Sequence, residues 1–144
     1  MQVKLEKPSD QPTQDLVSLA LAARDNSYSP YSKFRVGAAV RTADNSVFQG
    51  CNIESCSYTP TVCAERVAIS SAVAAGHRQF KTIAISSDLK EQMITPCGVC
   101  RQFMREFSKE LEILLVRPDG QFSRTTLAIL LPGSFGPESL EQPR

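Results

Sequence analysis

Thr61-Val62-Cys63-Ala64-Glu65-Arg66 and Thr95-Pro96-Cys97-Gly98-Val99-Cys100-Arg101-Gln102 are the two stretches on which the reading of this chain turns. Each stands where a β-type run gives way to a helical one, so each carries cysteine to a predicted helix start. Before the first lie strand-like runs over residues 36–41 and 46–53. Thr42-Ala43-Asp44-Asn45 between them is turn chemistry, and the three together read as a hairpin. Residues 61–75 then read as helix with Gly76 as its stop. Residues 81–87 contain the apolar run Ile83-Ala84-Ile85 of a buried strand, and Pro96 precedes a second helix over residues 98–108.

Further out, residues 14–24 place Leu16, Leu19, Ala20 and Ala23 on one stripe behind Thr13 as N-cap. Residues 112–116 and 121–125 read as strands around an Asp119-Gly120 turn. A short helix over 126–130 and a tail rich in Gly and Pro follow. The order α-β-β-α-β-α-β-β-α predicts an α/β fold with helices on the faces of one mixed sheet. Residues 1–12, polar with two prolines, read as a flexible arm, and 13–144 as a single domain.

Bulk properties narrow the function. Lys and Arg number 16 against 15 Asp and Glu, a net charge of +1, which gives no footprint for a polyphosphate backbone. A small neutral ligand is expected rather than nucleic acid. The N-terminus has no apolar stretch for a signal peptide, and no window could span a bilayer. The chain therefore reads as soluble and cytoplasmic, with the nucleus as a second location, and as having no membrane partner. Five cysteines, an odd number, suit a reducing compartment, where clustered thiols point to metal or redox chemistry.

Cys97 and Cys100 sit within one helical turn and can reach a single ion, while Cys63 opens the other helix. Three thiolates leave the fourth tetrahedral position of Zn²⁺ free, which separates a catalytic zinc from a structural one. Three thiolates and one Zn²⁺ sum to −1, and helix N-termini favour such an anion. Arg66 is placed to donate to the sulfurs. Glu65, two residues beyond Cys63, can stand beside the open position as a general acid/base without ligating the metal. Cys-x-Glu with Pro-Cys-x-x-Cys resembles the three-cysteine form of the zinc deaminase signature.

With these motifs in hand, the sequence resembles the small homotetrameric cytidine deaminases from about Tyr28 to Pro137. Matching pieces run in the family's order: Tyr28–Ala39, Asn52-Ile53-Glu54, Cys63–Arg66, Pro96–Gln102, and Leu130-Leu131-Pro132 with Phe135-Gly136-Pro137. The resemblance implies a three-layer α/β/α sandwich on a five-stranded sheet. It implies hydrolysis of cytidine or deoxycytidine to the uracil nucleoside and ammonia, as in pyrimidine salvage, with one zinc per chain. It assigns Cys63, Cys97 and Cys100 to the metal and Glu65 to proton transfer. The Ala64 backbone N–H would hold the pyrimidine, Phe34 would pack on the base, and Asn52 and Glu54 would bind the ribose hydroxyls. Tyr58 would line the nucleoside pocket. Phe135 would be lent to a neighbouring subunit's site in a homotetramer. After Asn52-Ile53-Glu54 this chain has Ser55-Cys56-Ser57 where many members carry Asn or Ala and then Ala or Cys, which bears on the finer shape of the pocket.

Each residue has a plainer reading. Cys97 and Cys100 alone fit a redox pair, but that leaves Cys63 and Glu65 idle. A structural zinc needs a fourth ligand from Cys51, Cys56 or His77; the two cysteines read as small buried side chains and His77 as a surface residue. Taken singly, Glu65 and Arg66 fit a solvated helix turn, Asn52 and Glu54 a strand end, and Phe34 and Phe135 the core. Blasticidin-S deaminase shares the zinc signature but lacks the Asn-x-Glu pair and the Phe-x-Val-Gly-Ala segment. An editing deaminase acting on RNA or DNA would need a basic channel.

Overall fold

Apolar residues run unbroken through Ile83-Ala84-Ile85 and Ile113-Leu114-Leu115-Val116, the pattern of strands covered on both faces. The computed structural model, which describes residues 4–141 and 143, places both runs at the centre of a sheet. In chain order the elements are α1 (Gln11–Arg24), β1 (Val36–Thr42), β2 (Val47–Cys51), α2 (Ala64–Ala74), β3 (Phe80–Ser87), α3 (Gly98–Arg105), β4 (Glu112–Val116), β5 (Phe122–Thr126), α4 (Leu127–Leu130) and α5 (Pro137–Leu140). The five strands lie in the order β2-β1-β3-β4-β5. β3 and β4 are parallel and the other neighbours antiparallel, so the sheet is mixed, as expected.

Strand side chains alternate between faces, and here that alternation sorts the core into two layers. Ala38, Val40, Ile83, Ile85, Ile113 and Leu115 pack under α2 and α3, meeting Ala68, Ile69, Ala72, Cys100 and Met104. Their neighbours Ala39, Ala84, Leu114 and Val116 face the other way, onto Leu16, Val17 and Ala20 of α1. Full burial of a Leu or Ile is worth about 1.5–3 kcal/mol, so both layers hold their helices firmly. The result is the α/β/α sandwich.

The strand directions bring the chemistry together. β2 and β3 both run antiparallel to β1, so they point the same way. α2 follows β2 and α3 follows β3, and both helices therefore start at one end of the sheet. Gly50 on β2 lets α2 come close: a Cβ there would lie 2.4 Å from the Ala68 nitrogen and 2.5 Å from the Ala64 oxygen.

Several boundaries differ from the sequence reading. α1 begins at Gln11 because Asp10, not Thr13, is the cap, its Oδ1 accepting the Thr13 N–H at 2.8 Å. Pro12 fits the first turn, where a missing N–H costs nothing. The arm expected over residues 1–12 thus gives way to helix at Gln11, and Glu6 pairs with Phe122 through backbone bonds of 2.8 and 3.0 Å. Residues 1–3 lie outside the described residues. The second helix starts at Ala64 rather than at residue 61, because Val62 is extended and pairs with Ile53. The third ends at Arg105. Cys51 is only half-buried and Cys56 exposed, contrary to expectation. The tail rich in Gly and Pro also contains one helical turn, α5.

Candidate metal centre and active site

Cys63 and Cys97 occupy the same place on their two helices. Each is the residue before the first helical turn, extended, and without a side-chain capping bond. Their sulfurs are 3.8 Å apart. Cys100, buried in the first turn of α3, completes a set whose three Sγ atoms all lie within 4.8 Å of one another. Tetrahedral zinc with Zn–S bonds of about 2.3 Å requires sulfurs about 3.8 Å apart, so this donor set fits zinc.

The charge of the centre is balanced from the protein side. Arg66 Nη2 donates to Cys63 Sγ at 3.6 Å. The Cys63 thiol is pushed down to about 5, chiefly by a hydrogen bond from Cys100 and further by the Arg66 guanidinium. Cys100 moves the opposite way, because its proton is the one shared with Cys63 and it is buried beside Glu65. The bond to Cys63 in turn raises Arg66. Metal binding displaces thiol protons, and a centre with one sulfur already anionic is primed for that exchange.

Glu65 stands in the first turn of α2 with 4% of its surface exposed. Burial pushes its carboxyl up to about 7, and the Cys63 thiolate adds to the rise. A carboxyl near neutrality can both take and give a proton at physiological pH.

A cavity of about 390 Å³ opens onto these groups. Cys63, Ala64, Glu65 and Cys97 form one wall, and Phe34, Asn52 and Glu54 contribute to the rest. Asn52 is fixed by its own amide. Its Oδ1 accepts the Val36 N–H at 2.9 Å and also the Ser27 hydroxyl, and its Nδ2 donates to the Phe34 carbonyl at 2.8 Å. One Nδ2 proton is left over. Glu54 Oε1 accepts the Tyr31 and Ser32 N–H groups at 3.0 Å each, and Oε2 accepts the Ser32 hydroxyl. The Ser32 hydroxyl, helped by these N–H groups, holds the Glu54 carboxyl below its ordinary range.

Other expected residues lie apart from this cavity. Tyr58 is 75% exposed and forms, with Tyr31, the edge of an adjoining hollow that shares Glu54. Phe135 is 59% exposed, and Gln102 holds its backbone carbonyl at 3.1 Å. It does not line the cavity of its own chain. Ile94 and Thr95 do, although nothing in their local sequence marked them. They arrive on the loop between β3 and α3, and the only prior signal was their place just before Pro96-Cys97.

Residues 10–115 match the family described as cytidine and deoxycytidylate deaminase zinc-binding region. The chain belongs to this family. A probable cytidine deaminase of Dictyostelium discoideum is 44% identical over 124 residues, 86% of this chain and 84% of that protein. A cytidine deaminase of Sporosarcina psychrophila is 44% identical over 126 residues, 87% and 92% of the two chains. The crystal structure of cytidine deaminase from Burkholderia pseudomallei superposes with a TM-score of 0.80 at 46% identity, covering 84% of this chain and 97% of that one. As a member of a zinc-binding deaminase family, the chain has in Cys63, Cys97 and Cys100 a donor set of the right number and spacing for the metal.

Proposed function

We propose that this deaminase hydrolyses cytidine and deoxycytidine to uridine and deoxyuridine, releasing ammonia, and that it serves pyrimidine salvage in the cytoplasm. The observation that carries this reading is the convergence of three sulfurs spaced for a metal and a buried carboxyl on one nucleoside-sized cavity. Cys63, Cys97 and Cys100 would hold the zinc, which when bound would supply a Lewis acid able to make water nucleophilic at neutral pH. Glu65 takes a proton from the attacking water and passes it to ring N3 as the C4–O bond forms. It then carries the second proton to the amino group, which leaves as ammonia when the C4–N bond breaks. The Ala64 backbone N–H, free of helix partners in the first turn, holds the pyrimidine, and Phe34 packs on its face. Asn52, through its remaining amide proton, and Glu54, through its ionised carboxylate, bind the ribose hydroxyls. Both are fixed before substrate arrives, so little ordering is needed on binding. Tyr58 lines the entrance, and Arg66 steadies the sulfurs.

An exposed Phe135 held at its backbone suits a ring offered to another copy of the chain. The working form is proposed to be a homotetramer in which Phe135 closes a neighbour's site. Among the described residues no helix is long and apolar enough to cross a membrane. The test is the absorbance change of cytidine going to uridine. Glu65→Gln should lower kcat by about 10²- to 10⁴-fold with zinc content unchanged. Uridine formation at the unaltered rate in that variant would remove Glu65 from the mechanism.

A further inference from the structure

We infer that Arg101 is a positioning residue for the metal centre, the clamp that sets the Cys97 arm against Cys100. The inference rests on the zinc deaminase reading above and extends it to a residue with no role in the reaction itself.

Two of the three sulfurs come from α3, but only Cys100 is inside the helix. Cys97 precedes it, exposed and uncapped, at the end of a loop that leaves β3 after Ser87. Among the described residues, the one backbone bond that fixes this arm is the first helical one, Arg101 N–H to the Cys97 carbonyl at 2.9 Å. The Arg101 side chain supplies the rest by reaching back over the helix start. Its Nε donates to the Pro96 carbonyl at 2.7 Å and its Nη2 to Thr95 Oγ1 at 2.9 Å. Its Nη1 donates to the Leu130 carbonyl at 2.8 Å, at the end of α4. One planar fork therefore joins the cavity wall at Thr95, the residue bonded to Cys97, and a distant helix. Among the described residues Arg101 makes no ion pair with a carboxylate, so the fork is spent wholly on backbone and hydroxyl acceptors. Lysine has the charge but not the fork and cannot make all three bonds.

Outer groups that orient metal ligands are typically worth 10- to 100-fold in metal affinity. Zinc-loaded wild type, Arg101→Lys, Arg101→Met and Thr95→Val are compared by competition with a chromophoric chelator, and cobalt-loaded samples by their visible spectra. The expected result is tenfold or greater weakening of zinc binding in both Arg101 variants, a smaller loss in Thr95→Val, and altered cobalt–thiolate bands. A residue that merely stabilises the fold would lower the melting temperature and leave affinity and spectrum of the folded protein unchanged, which would overturn the assignment. So would wild-type affinity in Arg101→Lys, because charge alone would then suffice. Thr95→Val removes one bond without disturbing the guanidinium and keeps the test valid should Arg101→Met fold poorly. No step uses substrate: a zinc-loaded wild type that leaves cytidine untouched would sink the deaminase reading and not the clamp.

Discussion

Alanine at position 50 would place a methyl carbon 2.4 Å from the Ala68 nitrogen, 2.5 Å from the Ala64 oxygen and 2.9 Å from the Val67 Cβ. All three atoms belong to α2, and two are backbone, so no side-chain rotation relieves the contact. Restoring an ordinary separation of about 3.5 Å moves the helix start roughly 1 Å off β2. Cys63 and Glu65 ride on that start. Metal sites tolerate ligand displacements of about 0.2 Å, and a misplacement of about 1 Å can cost roughly a hundredfold in rate. Gly50→Ala is therefore expected to lose about 1–3 kcal/mol of stability, to bind zinc more weakly, and to lose about a hundredfold in kcat/KM for cytidine. Gly37 is the internal comparison. A Cβ there meets the Ala20 oxygen at 2.2 Å and the Arg24 nitrogen at 2.3 Å, but these belong to α1, on the face away from the metal ligands. Gly37→Ala should lose similar stability while its folded molecules keep zinc and turnover. Urea unfolding, zinc content and the cytidine absorbance assay on both variants decide the matter. If Gly50→Ala loses stability but retains full zinc and turnover, the close seat of α2 is not what positions the site.

Stripping zinc with a chelator should abolish uridine formation, and adding zinc back should restore it. Reloading near pH 7 in weak buffer should release protons, with Cys100 as a principal source because its thiol is held protonated, as an indicator dye would report; no release would contradict the thiolate ligand set. Asp88 receives two bonds of 2.9 Å from Arg35, which hold its carboxyl below the ordinary range. A carboxyl so depressed contributes stability that is complete above its unfolded value and lost as pH falls through the folded one. Asp88→Asn should thus lower the urea midpoint at pH 7, by a gap that narrows as pH falls below the ordinary carboxylate range. With the two side chains 37% and 42% exposed, the gap should stay below about 1 kcal/mol. A gap that does not narrow with falling pH would mean that charge is not its source.

Residue types made the metal centre legible. Cysteine three apart at a helix start, and Cys-x-Glu at another, carry their chemistry in the one-dimensional pattern, and β4 was readable residue for residue because its apolar run is bounded by polar ones. What could not be read depends on partners far along the chain. Thr61 and Val62 stay out of the helix because the Thr61 N–H closes a turn onto the Tyr58 carbonyl and Val62 pairs with Ile53. Asp10 outcompetes Thr13 as a cap because its carboxylate reaches both the N–H and the hydroxyl of Thr13. Ile94 and Thr95 line the cavity from a loop whose Thr95 hydroxyl is bonded by Arg101, a partner that lies beyond the loop and itself bonds the end of α4. Cys51 escapes full burial at the last residue of the edge strand β2, where its thiol meets the Asn26 carbonyl at 3.3 Å.

The antiparallel hairpin does more than supply two strands. Cys63 and Cys97 are 34 residues apart and must meet within a few ångströms. Because β1 lies between β2 and β3 and opposes both, the two strands that launch the cysteine-bearing helices point to one edge, and each helix covers the same face. Turning either strand round would send one helix start to the far end of a sheet whose strands of five to eight residues span roughly 17–27 Å. No side-chain adjustment could close that distance. Two positive helix ends brought together at one edge attract anions, and here the chain meets that field with thiolates and one neutralisable carboxyl rather than with a phosphate site.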